Sequence, residues 1–96
     1  MGSEGVPAVT IQEKMLLDNA LDALDRLFDG HSSTIDVSAL LFATSEALRG
    51  TKHHTELERA VQGLHQIIRS GGTVDVQREK ALNATDDLRK YLADLL

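Results

Sequence analysis

The sequence predicts an all-α fold, a compact four-helix bundle formed by a single domain. Apolar residues recur with the helical period in four separate segments, and glycine-containing turns lie between those segments. No segment alternates apolar and polar residues as a half-buried strand does. The second half of the chain also resembles the first half, since Leu17 to Leu24 matches Leu57 to Leu64 at a spacing of 40 residues.

This repeat indicates two helical hairpins that bury their apolar faces against each other. Residues 34–37 (Thr-Ile-Asp-Val) recur as residues 73–76 (Thr-Val-Asp-Val), at a spacing of 39 residues. Two interpretations remain open. The halves arose by internal duplication, or they agree because helix capping and apolar periodicity select the same residue types.

The first nine residues stand apart from the rest. Residues 1–9 have no helical period and predict a disordered tail, in which Gly2 and Ser3 are typical of a cloning remnant. Residues 10–96 then form one four-helix domain, long enough to bury a core without disulfide or metal.

Helix 1 is predicted to begin at Thr10, which forms a capping box with Glu13, and to end before Gly30. Its apolar stripe comprises Leu16, Leu17, Ala20, Leu21, Ala23, Leu24, Leu27 and Phe28. Helix 2 is predicted to begin at Asp36 as its N-cap and to end before Gly50. Its interior is nearly free of charge, so we expect helix 2 to be the most buried of the four and enclosed on two sides.

Helices 3 and 4 complete the second hairpin. Thr55 and Glu58 predict a second capping box at the start of helix 3, which ends before Gly71. Asp75 is predicted to cap helix 4. Short turns between long helices favour antiparallel neighbours, as in a bundle.

The charge of the chain limits its partners. Fifteen acidic and ten basic residues give a net charge of −5 with neutral histidines. Residues 1–30 hold most of the excess, with six acidic residues against two basic ones. We predict no nucleic-acid or membrane partner, because phosphates and anionic lipids would be repelled. The chain has no cysteine, signal-peptide pattern or membrane-spanning run, which predicts a cytoplasmic protein.

The clearest surface feature is a row of four aspartates on helix 1: Asp18, Asp22, Asp25 and Asp29. Their spacing places them on one line opposite the apolar stripe, where like charges at i,i+4 cost about 0.2 to 0.5 kcal/mol per pair. Arg26 can reach Asp22 and Asp29 and relieve part of this repulsion. We interpret this aspartate row as a docking surface for a basic protein partner. The alternative is an ordinary solvated face of a bundle helix.

Phe42 is the second candidate. It lies off the apolar stripe of helix 2, on the side that carries Ser38 and Ser45. Enclosure of helix 2 on two sides, which we expect, would bury Phe42; an exposed Phe42 would instead mark a contact patch. We therefore count Phe42 with the four aspartates as a candidate partner-binding residue.

The histidines do not predict a catalytic or metal site. His53, His54 and Glu58 are clustered, and His54 can share an ion with Glu58 if both are helical. No His-x-x-x-His pair occurs, and we expect His53 and His54 to be solvated loop residues. Motifs for nucleophilic catalysis or phosphate binding are also absent from the sequence. We predict no enzymatic activity, no metal and no cofactor.

In size and charge the chain resembles small, acidic, all-helical immunity proteins and antitoxins, which cover a basic toxin surface. The resemblance implies a non-enzymatic protein-interaction module that inhibits a basic partner. The alternative is a homodimeric structural protein that self-associates through Phe42 or through the apolar end of helix 4.

Overall fold

The computed structural model describes residues 10–96, which fold into four helices joined by short turns. The helices are α1 (Ile11–Asp29), α2 (Thr34–Ala47), α3 (His53–Ser70) and α4 (Val74–Leu95). No strand occurs between residues 10 and 96, and the predicted all-α four-helix bundle is confirmed. The predicted tail, residues 1–9, lies outside the described residues. None of the four helices combines the length and the apolar character needed to cross a membrane.

The four helices form a closed ring around one core. Each helix packs against its neighbours in the chain, and α1 also packs against α4, which closes the ring. α2 and α3 pack most closely, and α2 makes a smaller contact with α4 across the bundle. Buried apolar side chains from all four helices form the core: Leu17, Ala20, Leu24, Leu27, Val37, Leu41, Leu48, Leu57, Ala60, Val61, Leu64, Ala81, Leu88 and Leu92.

The two hairpins bury equivalent positions at a constant offset of 40 residues. The buried pairs are Leu17 and Leu57, Ala20 and Ala60, Leu24 and Leu64, Leu41 and Ala81, Ser45 and Thr85, and Leu48 and Leu88. The N-caps Ser33 and Thr73 keep the same offset. Matching Thr34 with Thr73 is therefore wrong by one residue, because Thr34 is the first residue of α2 whereas Thr73 precedes α4.

The first hairpin begins as predicted in α1 but not in α2. Thr10 Oγ1 accepts a hydrogen bond from Glu13 N at 3.1 Å, and Glu13 Oε1 accepts one from Thr10 N at 3.4 Å, so the capping box is confirmed. α2 begins two residues before Asp36, because Ser33 is its N-cap and accepts from Asp36 N at 3.1 Å. Asp36 lies instead in the first turn, where its charge favours the helix dipole.

Both helices of the second hairpin also begin earlier than predicted. Thr73, not Asp75, caps α4, and its Oγ1 accepts from the backbone N–H three residues on at 3.2 Å. α3 begins at His53, two residues before the predicted cap Thr55. The predicted capping box of α3 does not form, because Thr55 is already inside the helix.

Arg78 of α4 binds the C-terminal end of α1. Its Nε donates to the carbonyl oxygen of Leu27 at 3.1 Å, and its guanidinium also donates to that of Phe28. The last carbonyls of a helix lack intrahelical donors and attract cations, so both contacts stabilise this terminus. Gly30 then ends α1 as predicted, in the left-handed conformation with φ of 83°.

The capping roles can be tested by stability measurements. We expect Ser33→Ala and Thr73→Ala each to lower the free energy of unfolding by about 1 kcal/mol, because each removes an N-cap hydrogen bond. Asp36→Ala should cost about 0.5 kcal/mol, because it removes only a dipole interaction. Urea denaturation followed by circular dichroism measures all three. A larger loss for Asp36→Ala than for Ser33→Ala would contradict the assigned caps.

Candidate functional site

The aspartate row lies on the side of α1 that faces away from the core. Asp22 and Asp29 are exposed, and Asp18 and Asp25 are half-buried. The corresponding positions of α3, 40 residues further on, are Glu58, Gln62, His65 and Arg69, only one of which is acidic. The concentration of carboxylates is thus a property of α1 and not of this position in the bundle.

Three of the four aspartates are paired with cations. Lys14 Nζ lies 2.8 Å from Asp18 Oδ2. Arg26 Nε lies 3.0 Å from Asp22 Oδ2, so Arg26 reaches Asp22 as expected, but no ion pair joins it to Asp29 among residues 10–96. Asp25 pairs with Arg89 of α4 at 2.8 Å. Four carboxylates facing three cations leave one net negative charge, so the aspartate row is less acidic than its sequence suggests.

Arg89 connects α1 and α4 through two contacts. Its Nε and its second guanidinium nitrogen lie 2.9 and 2.8 Å from Asp25 Oδ1. The guanidinium carbon also lies 4.5 Å from the centre of the Phe28 ring, a cation–π contact. Phe28 was expected inside the bundle but is 54% exposed. Asp25 therefore contributes to the contact between α4 and α1, and its replacement would remove the ion pair with Arg89.

The outer side of α2 is apolar and open. It comprises Ile35, Ala39, Leu40, Phe42, Ala43 and Ala47, all exposed, which we call the α2 face. The only charged residues on this side are Asp36 and Glu46. Enclosure of α2 on two sides was a wrong expectation. α2 has three neighbouring helices, but they cover only its inner side, where Val37 and Leu41 are buried.

Phe42 lies on the edge of the α2 face that is nearer to α3. Its side chain is 50% exposed, and its ring is tilted by 41° against the ring of His65, with 6.3 Å between the ring centres. Phe42 is therefore available for contact with a partner, and its assignment as a partner-binding residue remains a prediction.

The equivalent positions of α4 show what a solvated outer side looks like in this bundle. At the offset of 40 residues, the α2 face corresponds to Asp75, Glu79, Lys80, Leu82, Asn83 and Asp87. Five of these six residues are charged or polar, as expected for the side of a bundle helix that faces water. The apolar character of the α2 face is therefore not required by the fold.

A groove of about 710 Å³ lies between α1 and the end of α2. We call it the seam groove; its lining includes Met15, Leu16, Asn19, Ala47, Leu48 and Thr51. A smaller groove of about 140 Å³ lies farther along the same seam, between Asp22 and Arg26 of α1 and Asp36 and Leu40 of α2. The seam therefore joins the α2 face to the aspartate row.

The charges beside the α2 face differ in their pairing. Arg49 donates to both carboxylate oxygens of Glu46 at 2.7 Å. This hydrogen-bonded ion pair lowers the pKa of Glu46 below its ordinary value and keeps the carboxylate ionised. Asp36 makes no ion pair with any of residues 10–96. The α2 side of the seam therefore carries one carboxylate that is not paired with a cation within residues 10–96.

His53 and His54 are not solvated loop residues, contrary to expectation. His53 is 1% exposed; its Nδ1 lies 2.7 Å from the Tyr91 hydroxyl oxygen, and its Nε2 lies 4.0 Å from Glu13 Oε1. His54 Nδ1 donates to the carbonyl oxygen of Ser45 at 2.9 Å. The sequence predicted that α3 begins at Thr55, after both histidines. Because α3 begins at His53, that residue lies inside the helix and is buried, which the prediction missed.

The two histidines serve the packing of the helices. His53 joins the start of α3 to α4 through Tyr91 and approaches α1 at Glu13, while His54 joins α3 to the end of α2. The predicted pairing of His54 with Glu58 is present but long, at 3.8 Å. Within residues 10–96, no three acidic or histidine side chains converge in a way that could hold a metal ion.

Tyr91 provides a pH-dependent test of this packing. Burial raises the pKa of Tyr91, and the nearby charge of Glu56 raises it further. The stability that Tyr91 contributes is then present below about pH 10, the ordinary tyrosine pKa, and is lost as the pH rises through the higher pKa of the folded state. Tyr91 is the only tyrosine, and there is no tryptophan, so tyrosinate absorbance reports on this residue alone.

We expect the native protein to ionise Tyr91 at a higher pH than the same protein in denaturant. Tyr91→Phe should remove the corresponding loss of stability at alkaline pH. Equal midpoints in the native and denatured protein would contradict the packing of Tyr91 described above.

No protein-family model matches the chain, and comparisons with curated proteins and with solved structures find no significant match. Four-helix bundles support many different activities, so the fold alone does not indicate a function. The surface formed by the α2 face, the seam groove and the aspartate row is the feature from which a function can be inferred.

Proposed function

We propose that this chain is a non-enzymatic, cytoplasmic protein-interaction module whose partner binds across the outer sides of α1 and α2. The observation that carries the proposal is the open apolar α2 face. A helix that is apolar on all sides is normally buried on all sides, and a contiguous exposed apolar patch typically marks a contact surface. The equivalent positions of α4 support this assignment, because five of those six residues are charged or polar, and the exposed valines of α4, Val74 and Val76, lie in its first turn.

The partner in this proposal is basic. Helix α1 contains five acidic and two basic residues, and Asp36 adds a further acidic residue at the start of α2. Such a field speeds the approach of a basic protein and disfavours acidic ones. An immunity-type inhibitor that covers the basic surface of a toxin is one specific form of this module. Nucleic acid and anionic membrane are not partners in this proposal, because their phosphates carry the same sign of charge as the chain.

A capture experiment with matched variants tests the proposal. The purified protein is immobilised and exposed to a lysate of the cells that naturally produce it, and captured proteins are identified by mass spectrometry. Ile35→Ser with Phe42→Ser should reduce capture of the partner by about tenfold or more, because both changes remove apolar contact area. Val74→Ser with Val76→Ser is the control, because it removes two exposed valines from α4. Equal capture by both double variants would exclude the α2 face as the binding surface.

The contribution of charge is tested with the aspartates that do not hold α4. The double variant Asp22→Lys with Asp29→Lys should capture less of the partner, and the amount captured should decrease less when salt is added. Asp25 is left unchanged because its loss would release Arg89. Capture that is insensitive to salt and to these changes would remove the aspartate row from the proposal.

Self-association is a second candidate function, favoured by the exposure of Phe42 next to an uncharged stretch of α2. The homodimer would bury the two copies of Phe42 in a symmetric contact. Sedimentation equilibrium should then show a concentration-dependent dimer, and Phe42→Asp should abolish it without loss of helical content. A monomer at the highest soluble concentration would exclude this candidate.

A further inference from the structure

We infer that the seam groove receives an amphipathic α-helix of the partner, with lysine or arginine beside its apolar face. This inference rests on the proposed function and specifies how the partner binds. It follows from the shape of the seam, from the hydrogen-bonding state of its two helices and from its charge.

The shape of the seam fits a helix. Both grooves lie along the seam between α1 and α2. The α1 residues that line them, from Gln12 to Arg26, span about 21 Å, which is the length of about four helical turns. Met15 and Leu40 provide apolar side chains on opposite sides of the seam, and Met15 is 63% exposed. Ala47 has only a methyl group, which allows the backbone of an incoming helix to approach closely.

An extended peptide is a poor occupant of the seam, because α1 and α2 offer it no free main-chain groups to bind. Extended peptides obtain much of their affinity from main-chain hydrogen bonds to a sheet edge. Residues 10–96 contain no strand, and the N–H and carbonyl groups within α1 and α2 are already paired inside each helix. An occupant of the seam therefore has to satisfy its own backbone groups, and a helix does so.

The charge of the seam selects a basic helix. The charged residues that line the two grooves are three carboxylates, Glu13, Asp22 and Asp36, and one cation, Arg26, which leaves an excess of negative charge along the seam. Asp36 on the other side of the seam has no ion pair within residues 10–96. A second copy of this chain is a poorer occupant, because it carries a net charge of −5 and the α2 face offers only acidic charges of its own.

The test uses the full-length ¹⁵N-labelled protein and a synthetic helix-forming peptide of about five turns, with leucine and alanine on one side and lysine on the other. A second peptide replaces each lysine by glutamate, and a third has the composition of the first in scrambled order. We expect the lysine peptide to shift the amide resonances of Met15, Asn19 and Ala47, and to become helical when bound. The other two peptides should bind at least about tenfold more weakly.

Two substitutions of exposed alanines provide the matched control. Ala47→Arg places a bulky cation in the seam groove and should weaken binding of the lysine peptide by about tenfold or more. Ala93→Arg makes the same change on α4, away from the seam, and should alter the affinity by less than about twofold. Circular dichroism verifies that both variants keep their helical content.

Each remaining outcome overturns the inference. Absence of binding, shifts confined to α3 and α4, or equal binding of the scrambled peptide would exclude a helix in the seam. Equal binding of the glutamate peptide would exclude a basic occupant. Concentration-dependent shifts at the seam without peptide would identify a second copy as the occupant. If lysate capture still depends on the α2 face in any of these cases, only the mode of binding fails and the proposed function stands.

Discussion

The structure depends on a geometric constraint: a ring of four helices covers each helix only from the inside. For α1, α3 and α4 this is sufficient, because charged and polar residues occupy much of the side that faces water. For α2, coverage from the inside leaves apolar residues exposed, because its apolar residues extend around the helix. The inner residues enter the core, and the remaining apolar residues form the α2 face. The candidate binding surface therefore results from a helix with more apolar surface than its bundle can bury.

Polar contacts between residues far apart in the chain add to the apolar core where α1 meets α4. Arg78 binds the last carbonyls of α1, and Arg89 joins Asp25 and Phe28 to α4. These contacts hold α4 against α1, and the ion pair with Arg89 also neutralises one member of the aspartate row. The aspartate row thus divides into Asp25, which contributes to the packing of α4, Asp18 and Asp22, which pair with cations of α1 itself, and Asp29, which has no ion pair within residues 10–96.

Helical periodicity and glycine positions predicted the four helices, because both are local properties of the chain. The N-caps of α2 and α4 lie three and two residues before the predicted ones, because serine, threonine and aspartate compete for the N-cap and the sequence pattern does not rank them. The N-cap of α3 is Lys52, three residues before the predicted Thr55, and it makes no side-chain capping hydrogen bond that a sequence pattern could reveal. That error placed His53 in a loop although it is buried. The partner of Asp25, 64 residues away, follows only from tertiary packing and has no local signal.

Comparison of positions 40 residues apart distinguishes residues that the fold requires from residues that it does not. Positions that enter the core, such as Leu41 and Ala81, are apolar in both hairpins because burial demands it. Outer positions have no such demand, and there Ile35 corresponds to Asp75 and Ala47 to Asp87. Exposed apolar side chains contribute little to the stability of a monomer and increase the risk of aggregation. The apolar outer side of α2 is therefore the difference between the two hairpins on which the proposed contact with a partner rests.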